Sequence, residues 1–545
     1  MAHFIFTSIA DWPSLAWIAR CDARTGEVAV LHGPRVERAE DWFCEAAWDG
    51  DYERGDFDAT DIVAGSGGRR RGDAVTFVAS GATVDRLHSF DAGNRIVWVS
   101  NSLPCLLASI GGEIDPTYKR YGPFFHSVVH GIDRYERWLR TSVGPVQLTY
   151  FDNLRWSDGV LTRVPKPCGA RGFTDFASYH GFLERSMTSI TDNARSIKRV
   201  HPFRPLSTLS SGYDSTTVTV LARQAGLQDV ISFSRGYAAP SLGEPTVMDS
   251  GAHVAQILGL TCHVSEARDD GAVDEALFFA GDASAADVHY LGAARHLSGR
   301  LLFTGYQGDI VWGKTPRSLS ETIVRASPSG VSLSEFRLWA GFLHCPVPFW
   351  GIREIARIHA ITNAAEMQPW DVEGPYSRPI CRRIAEEAGL PRGTFATGKR
   401  ASAAFPLWRR SFLGAAASED YLGWLRAQRL RWLRSGRVPP PTSLRLDRGA
   451  MSAARMLEKA TERVAWSVAT RSGWSALPHY PVVKGLRTLT HPEYASAPWV
   501  PSLRRYVFAW ALTHAVKRYG PVATSLRATA AERASTRREF VGTTS

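Results

Sequence analysis

Asp214 stands in a setting whose residue types can handle a polyphosphate. The run Leu206-Ser-Thr-Leu-Ser-Ser-Gly-Tyr-Asp-Ser-Thr216 is apolar at its start, stops at Ser210-Ser211-Gly212 and opens directly into a helical pattern. A bend of small residues lets backbone N–H groups, the Ser210, Ser211 and Ser215 hydroxyls and the positive end of a helix dipole converge on an anion such as pyrophosphate. A carboxylate beside that anion would repel it unless Mg²⁺ bridges the two, which gives Asp214 a purpose. The same residues also suit an N-cap cluster on a buried helix, because Ser and Asp are preferred caps. A second strand end weighs toward binding: Arg300-Leu-Leu-Phe-Thr304-Gly305 runs into Tyr306-Gln307-Gly308-Asp309, again an apolar strand ending in a glycine-rich turn with an Asp. In one parallel sheet both loops face the crevice at the carboxyl edge, where Asp214 and Asp309 can hold one Mg²⁺.

The elements that must position these loops follow a change of pattern near residue 170. Up to that point the chain alternates in short segments such as 74–80, 95–102 and 146–153, broken by Gly, Asp and Asn, which predicts a mainly β half. From about 175 a long helical period (173–199) leads into apolar strands at 206–209, 230–236, 261–267 and 300–305 with helices between them. That alternation predicts an α/β fold with a parallel, doubly wound sheet. Beyond about 315 the pattern is mostly helical, and the Pro-rich stretch 438–443 suggests a linker. The expected division is therefore 1–172, 173–437 and a helical extension, 438–545.

Composition narrows the classes. A chain of 545 residues, 44% hydrophobic and 21% charged, is long enough for two or three folded domains. Its most apolar region, Phe336–Ile352, is interrupted by Arg337, His344, Pro346 and Pro348, so no membrane span is expected. Seven scattered cysteines without a CxxC pair, and an N-terminus without a basic leader, point to a cytoplasmic protein without a disulfide framework. The net charge of +11 favours phosphate-rich partners without choosing among them. In the arginine-rich segment 425–441, Leu425, Leu430 and Leu433 are spaced to face a core while the arginines face water.

The two loops resemble a known family. Ser210-Ser-Gly-Tyr-Asp-Ser215 is similar to the SGGxDS pyrophosphate loop of the ATP-pyrophosphatases. Thr304-Gly-Tyr-Gln-Gly-Asp309 is similar to the SGEGxDE loop of asparagine synthetases, and Arg378–Ser402 resembles that family's late helix-to-lysine segment. The resemblance spans roughly 175–405. It implies a sheet of the adenine-nucleotide α-hydrolase type, with ATP and Mg²⁺ as cofactors. By the same resemblance Ser210, Ser211, Gly212, Asp214, Ser215, Thr304 and Gly305 contact ATP, and Ser232 and Phe233 lie near adenine. Asp214 and Asp309 hold the metal, Asp214 and Lys399 are the catalytic residues, and Lys399 steadies the charge that develops on the phosphates or the acyl oxygen. The activity implied is that of an amide-forming ligase, which adenylates a small-molecule or peptide carboxylate and passes it to ammonia or an amine. A homodimer is an open option.

Departures shape the expectation further. The family's second glycine is Ser211, and two glutamates of the second loop are Tyr306 and Ile310, which moves the expected substrate away from aspartate. The β-rich half resembles the family's Ntn-type amidotransferase domain, where an N-terminal cysteine hydrolyses glutamine. Ala2 occupies that place here, and Cys21 and Cys44 are internal, so this half reads as a structural remnant. The stretch Gly308–Thr315 also matches the pattern G-x-x-x-x-G-K-[ST], but Ile310, Val311 and Trp312 are poor residues for wrapping phosphates and Asp309 would face the anion. Two further readings are a tRNA-modifying ATP-pyrophosphatase, which the absence of CxxC and of an RNA-binding module argues against, and a catalytically degenerate scaffold.

Overall fold

The computed structural model describes residues 1–435 apart from 119, 234–236, 239–249, 266–274, 316–317, 373–375, 397–399 and 402–412. It also describes 506–520 and four isolated positions between. The first half is two facing β-sheets. Seven strands form a mixed sheet in which His3–Ser8 runs parallel to Glu27–His32 at one edge, and six antiparallel strands form the second sheet. Strand alternation sends one face of each sheet inward. Trp17, Val28, Val97 and Val99 of the first sheet thus meet Phe43, Val75, Phe77 and Trp156 of the second, all buried. Ala2 is buried in this same interior.

The second half begins with helix α1 (Phe176–Arg195), whose Asp175 caps the Ser178 N–H while Ser178 bonds back to the Asp175 N–H, a reciprocal capping box. Five parallel strands follow: β1 (Arg204–Thr208), β2 (Asp229–Phe233), β3 (Thr261–Ser265), β4 (Arg300–Thr304) and β5 (Leu343–Pro346). Their order across the sheet is β3-β2-β1-β4-β5. It reverses between β1 and β4, so the two loops read from the sequence leave adjacent strands at the switch point, where crevices form. Helix α2 (Tyr213–Gln224) follows β1 directly.

Beyond 315 the described elements are mostly helical, apart from short strands such as Leu343–Pro346, the fifth strand of the sheet, fully buried beside β4. One expectation needs correction. In helix Ala415–Arg434 the buried residues are Tyr421, Leu425, Gln428 and Trp432, at spacings of three and four, while Leu430 and Leu433 are exposed. The large Trp432 ring, against Tyr506, sets which face turns inward.

The halves are joined by buried charge. Arg337, on helix α3 (Leu333–Ala340), places Nη1 2.6 Å from Glu45 and Nε 2.8 Å from Asp85, both in the β-rich half. Helix Val507–Lys517 adds Phe508, which packs 4.9 Å from Tyr121 and Phe125 of the first half. Among the described residues no helix is long and apolar enough to cross a membrane.

Candidate functional site

Loop 209–215 is shaped by its own small side chains. Ser215 Oγ accepts the Ser210 N–H at 3.1 Å, the two hydroxyls lie 2.9 Å apart, and Ser210 Oγ accepts the Gly212 N–H at 3.2 Å. These bonds fold the bend tightly onto the first turn of α2, where Asp214 sits. The second loop closes on it. A Cβ on Gly305 would come within 2.7 Å of Asp214 Cβ, and one on Gly308 within 2.5 Å of Asp214 Cγ. Both positions need glycine for room, since neither backbone is left-handed. Gln307 does take the left-handed region, with φ 76°, and its amide donates to Val324 O at 2.8 Å.

Asp214 therefore rests between the loops, and its free side meets Arg378, which pairs with Oδ1 from just before helix α4 (Pro379–Glu387). Arg378 is buried, 5.5 Å from the Tyr376 ring. Together they edge a cavity of about 240 Å³. Seven of the sequence-predicted residues line it: Ser210, Gly212, Asp214, Ser215, Phe233, Gly305 and Asp309. Ser232 does not, being buried with Oγ accepting the Gly251 N–H at 2.9 Å. Thr304 is buried too, its hydroxyl 2.9 Å from His344 Nε2, and Ser211 turns its carbonyl to the Ala396 N–H. Lys399 lies outside the described residues.

The cavity is also lined by residues the sequence reading did not single out: His289, Tyr290, Arg325, Ser327, Ser329 and Tyr376. Phe233 meets His289 edge-on at 4.7 Å, and burial holds the imidazole neutral, down to about 3. Tyr306 donates its hydroxyl to Asp287 Oδ1 at 3.0 Å. Asp287 also takes the Gly330 N–H at 2.9 Å and the Ser332 hydroxyl at 2.5 Å. Arg325, 3% exposed, gives Nη1 to Thr83 O at 2.7 Å and Nη2 to Ser329 O at 2.5 Å. Lone arginines and tyrosines scattered over 90 residues carry no local pattern, so only the fold brings them together. Ile310 is packed inside instead.

The donors fit a hard cation. Mg²⁺ takes one or two carboxylates and fills its remaining positions with phosphate oxygens and water, and Asp214 and Asp309 on one cavity are such a pair. Among the described residues no cluster of three or more metal-ligating side chains exists, so the protein alone does not build a closed cage. The stretch 308–315 offers no phosphate loop: Gly308–Val311 is a helical turn, Trp312 is fully buried with Nε1 donating to Tyr179 Oη at 2.9 Å, and Lys314 pairs with Asp371. No family model matches the chain, and comparison with curated proteins finds no match.

Proposed function

We propose that this chain is an ATP-dependent, amide-forming ligase of the asparagine-synthetase type, which activates a carboxylate as an acyl-adenylate in the cavity between β1 and β4. The observation that carries the reading is Asp214 lodged against Gly305 and Gly308, with Asp309 on the same cavity. Two strand-end loops so joined give a phosphate cradle and two carboxylates at one switch point.

In this reading a substrate carboxylate oxygen attacks the α-phosphorus of ATP, the α–β phosphoanhydride breaks, and pyrophosphate leaves. The 210–215 loop supplies N–H and hydroxyl donors to the departing pyrophosphate, and Arg378 adds positive charge beside it. A Mg²⁺ held by Asp214 and Asp309 would neutralise phosphate charge. Phe233, His289 and Tyr290 offer aromatic surface for the base. An amine then attacks the acyl carbon, AMP leaves, and the nitrogen gives up a proton. Ammonia or an amine from another molecule is the nitrogen source, because the Cys21 and Cys44 thiols are fully buried and burial pushes both far above the usual thiol range.

A pyrophosphate-release screen over amino acids, uronic acids and peptides tests the reading. One class of acid is expected to release pyrophosphate, and Asp214→Asn to lower the rate by about 10²–10³, the usual effect of removing one charge-stabilising group. Equal release by the variant would remove Asp214 from the site.

A further inference from the structure

The part of the cavity around Arg325 has an unusual charge pattern for a site that takes an organic acid. Arg325 is almost completely buried, yet its guanidinium donates to two backbone carbonyls and the Thr83 hydroxyl, and its Nε has no hydrogen-bond partner among the described residues. Among the described residues no carboxylate pairs with it. Asp287, Asp309 and Asp282 lie near enough to favour its charged form, but burial dominates and brings the guanidinium down to about 10. A buried cation without an ion-pair partner is costly unless an anion joins it.

Among the described residues, the same part of the cavity offers little to a substrate cation. His289 is neutral, Tyr290 and Tyr306 are phenols, and Asp287 does not line the cavity, its oxygens accepting from Tyr306, Ser332 and the Gly330 N–H. Among the described residues Asp309 is the remaining cavity carboxylate besides the Arg378-paired Asp214; it is taken by the nucleotide's cation, and on that point this inference rests on the adenylation reading. Ser327 and Ser329, with hydroxyls 2.8 Å apart, stand beside Arg325 on the cavity. We propose that the acid bound here carries a second anionic group and no ammonium next to its reacting carboxylate. That second group lies against the Arg325 guanidinium and the two serine hydroxyls.

Calorimetric titration of the full chain, in the presence of Mg²⁺ and a non-hydrolysable ATP analogue, compares four- to six-carbon dicarboxylates with their α-amino counterparts and with monocarboxylates of equal length. At least one dicarboxylate is expected to bind ten times more tightly than its aminated and monocarboxylic partners. Arg325→Gln should remove that margin and Arg325→Lys restore part of it, with the affinity for Mg-ATP unchanged. The ranking in the unaltered protein decides the matter even if the variants fold poorly. Aminated acids binding as well as dicarboxylates, no dicarboxylate binding, or an Arg325→Gln effect confined to ATP overturns the proposal. Running the same acids for pyrophosphate release separates the two readings. Arg325-dependent binding with no pyrophosphate from any acid sinks adenylation and leaves the anion site standing. Pyrophosphate released only with aminated acids does the reverse.

Discussion

Asp214 is held from three directions, and each contact has a separate consequence. Arg378 supplies charge, loop 209–215 supplies the helix start beneath it, and the two glycines of the second loop supply room. Gly308→Ala should therefore damage the site without touching its polar groups. Its methyl would sit 2.5 Å from Asp214 Cγ, so the loops must part, at a cost of about 1–3 kcal/mol in stability as in other overpacked sites. Chemical denaturation measures that loss, and ATP binding should weaken with it; an unchanged denaturation midpoint and affinity would mean that the loops are not wedged together. At this scale the sequence was legible where small residues follow an apolar strand, because a tight bend needs them. Arg325 and Arg378 were not, since an isolated arginine gives no sign of whether it will be buried.

The strands and helices carry the next level of constraint. β1 and β4 were readable as apolar runs ending in glycine-rich turns, and their adjacency in the sheet makes one crevice of two loops. β5 was missed because Leu343-His-Cys-Pro346 lacks β-branched residues and ends in proline, while its burial comes from its neighbour β4 and could not be seen locally. Helix α3 has a titratable feature of its own. Glu335 is 3% exposed and accepts the Ser102 hydroxyl at 2.8 Å and the Leu103 N–H at 3.1 Å, yet burial raises its carboxyl to about 7. A raised acid favours folding fully below its unfolded value near 4.5, and that contribution is lost as pH climbs through about 7. Over this window Glu335 should cost the fold on the order of 3 kcal/mol. Glu335→Gln should flatten the profile of stability against pH between 4.5 and 7; an identical profile in the variant would show that Glu335 does not titrate there.

Over the whole molecule, the change of pattern near residue 170 separates β-rich from α/β sequence, and the packing joins what lies on either side. Arg337 spans that join with three bonds to Glu45 and Asp85, and the 507–517 helix packs against the first half from the far end of the chain. Arg337→Leu would strand two buried carboxylates, which should cost about 3–5 kcal/mol by urea denaturation. A change below about 1 kcal/mol would mean that the halves do not depend on this contact. Pairs this far apart in the sequence are invisible to periodicity, which reads only near neighbours.

The measurement that tests adenylation most directly is the fate of label from a carboxylate enriched in ¹⁸O, followed by mass spectrometry of the nucleotide product with the best acid from the screen. The account predicts AMP carrying one ¹⁸O, formed together with pyrophosphate. ADP with labelled phosphate, or no nucleotide product from any acid, would contradict it.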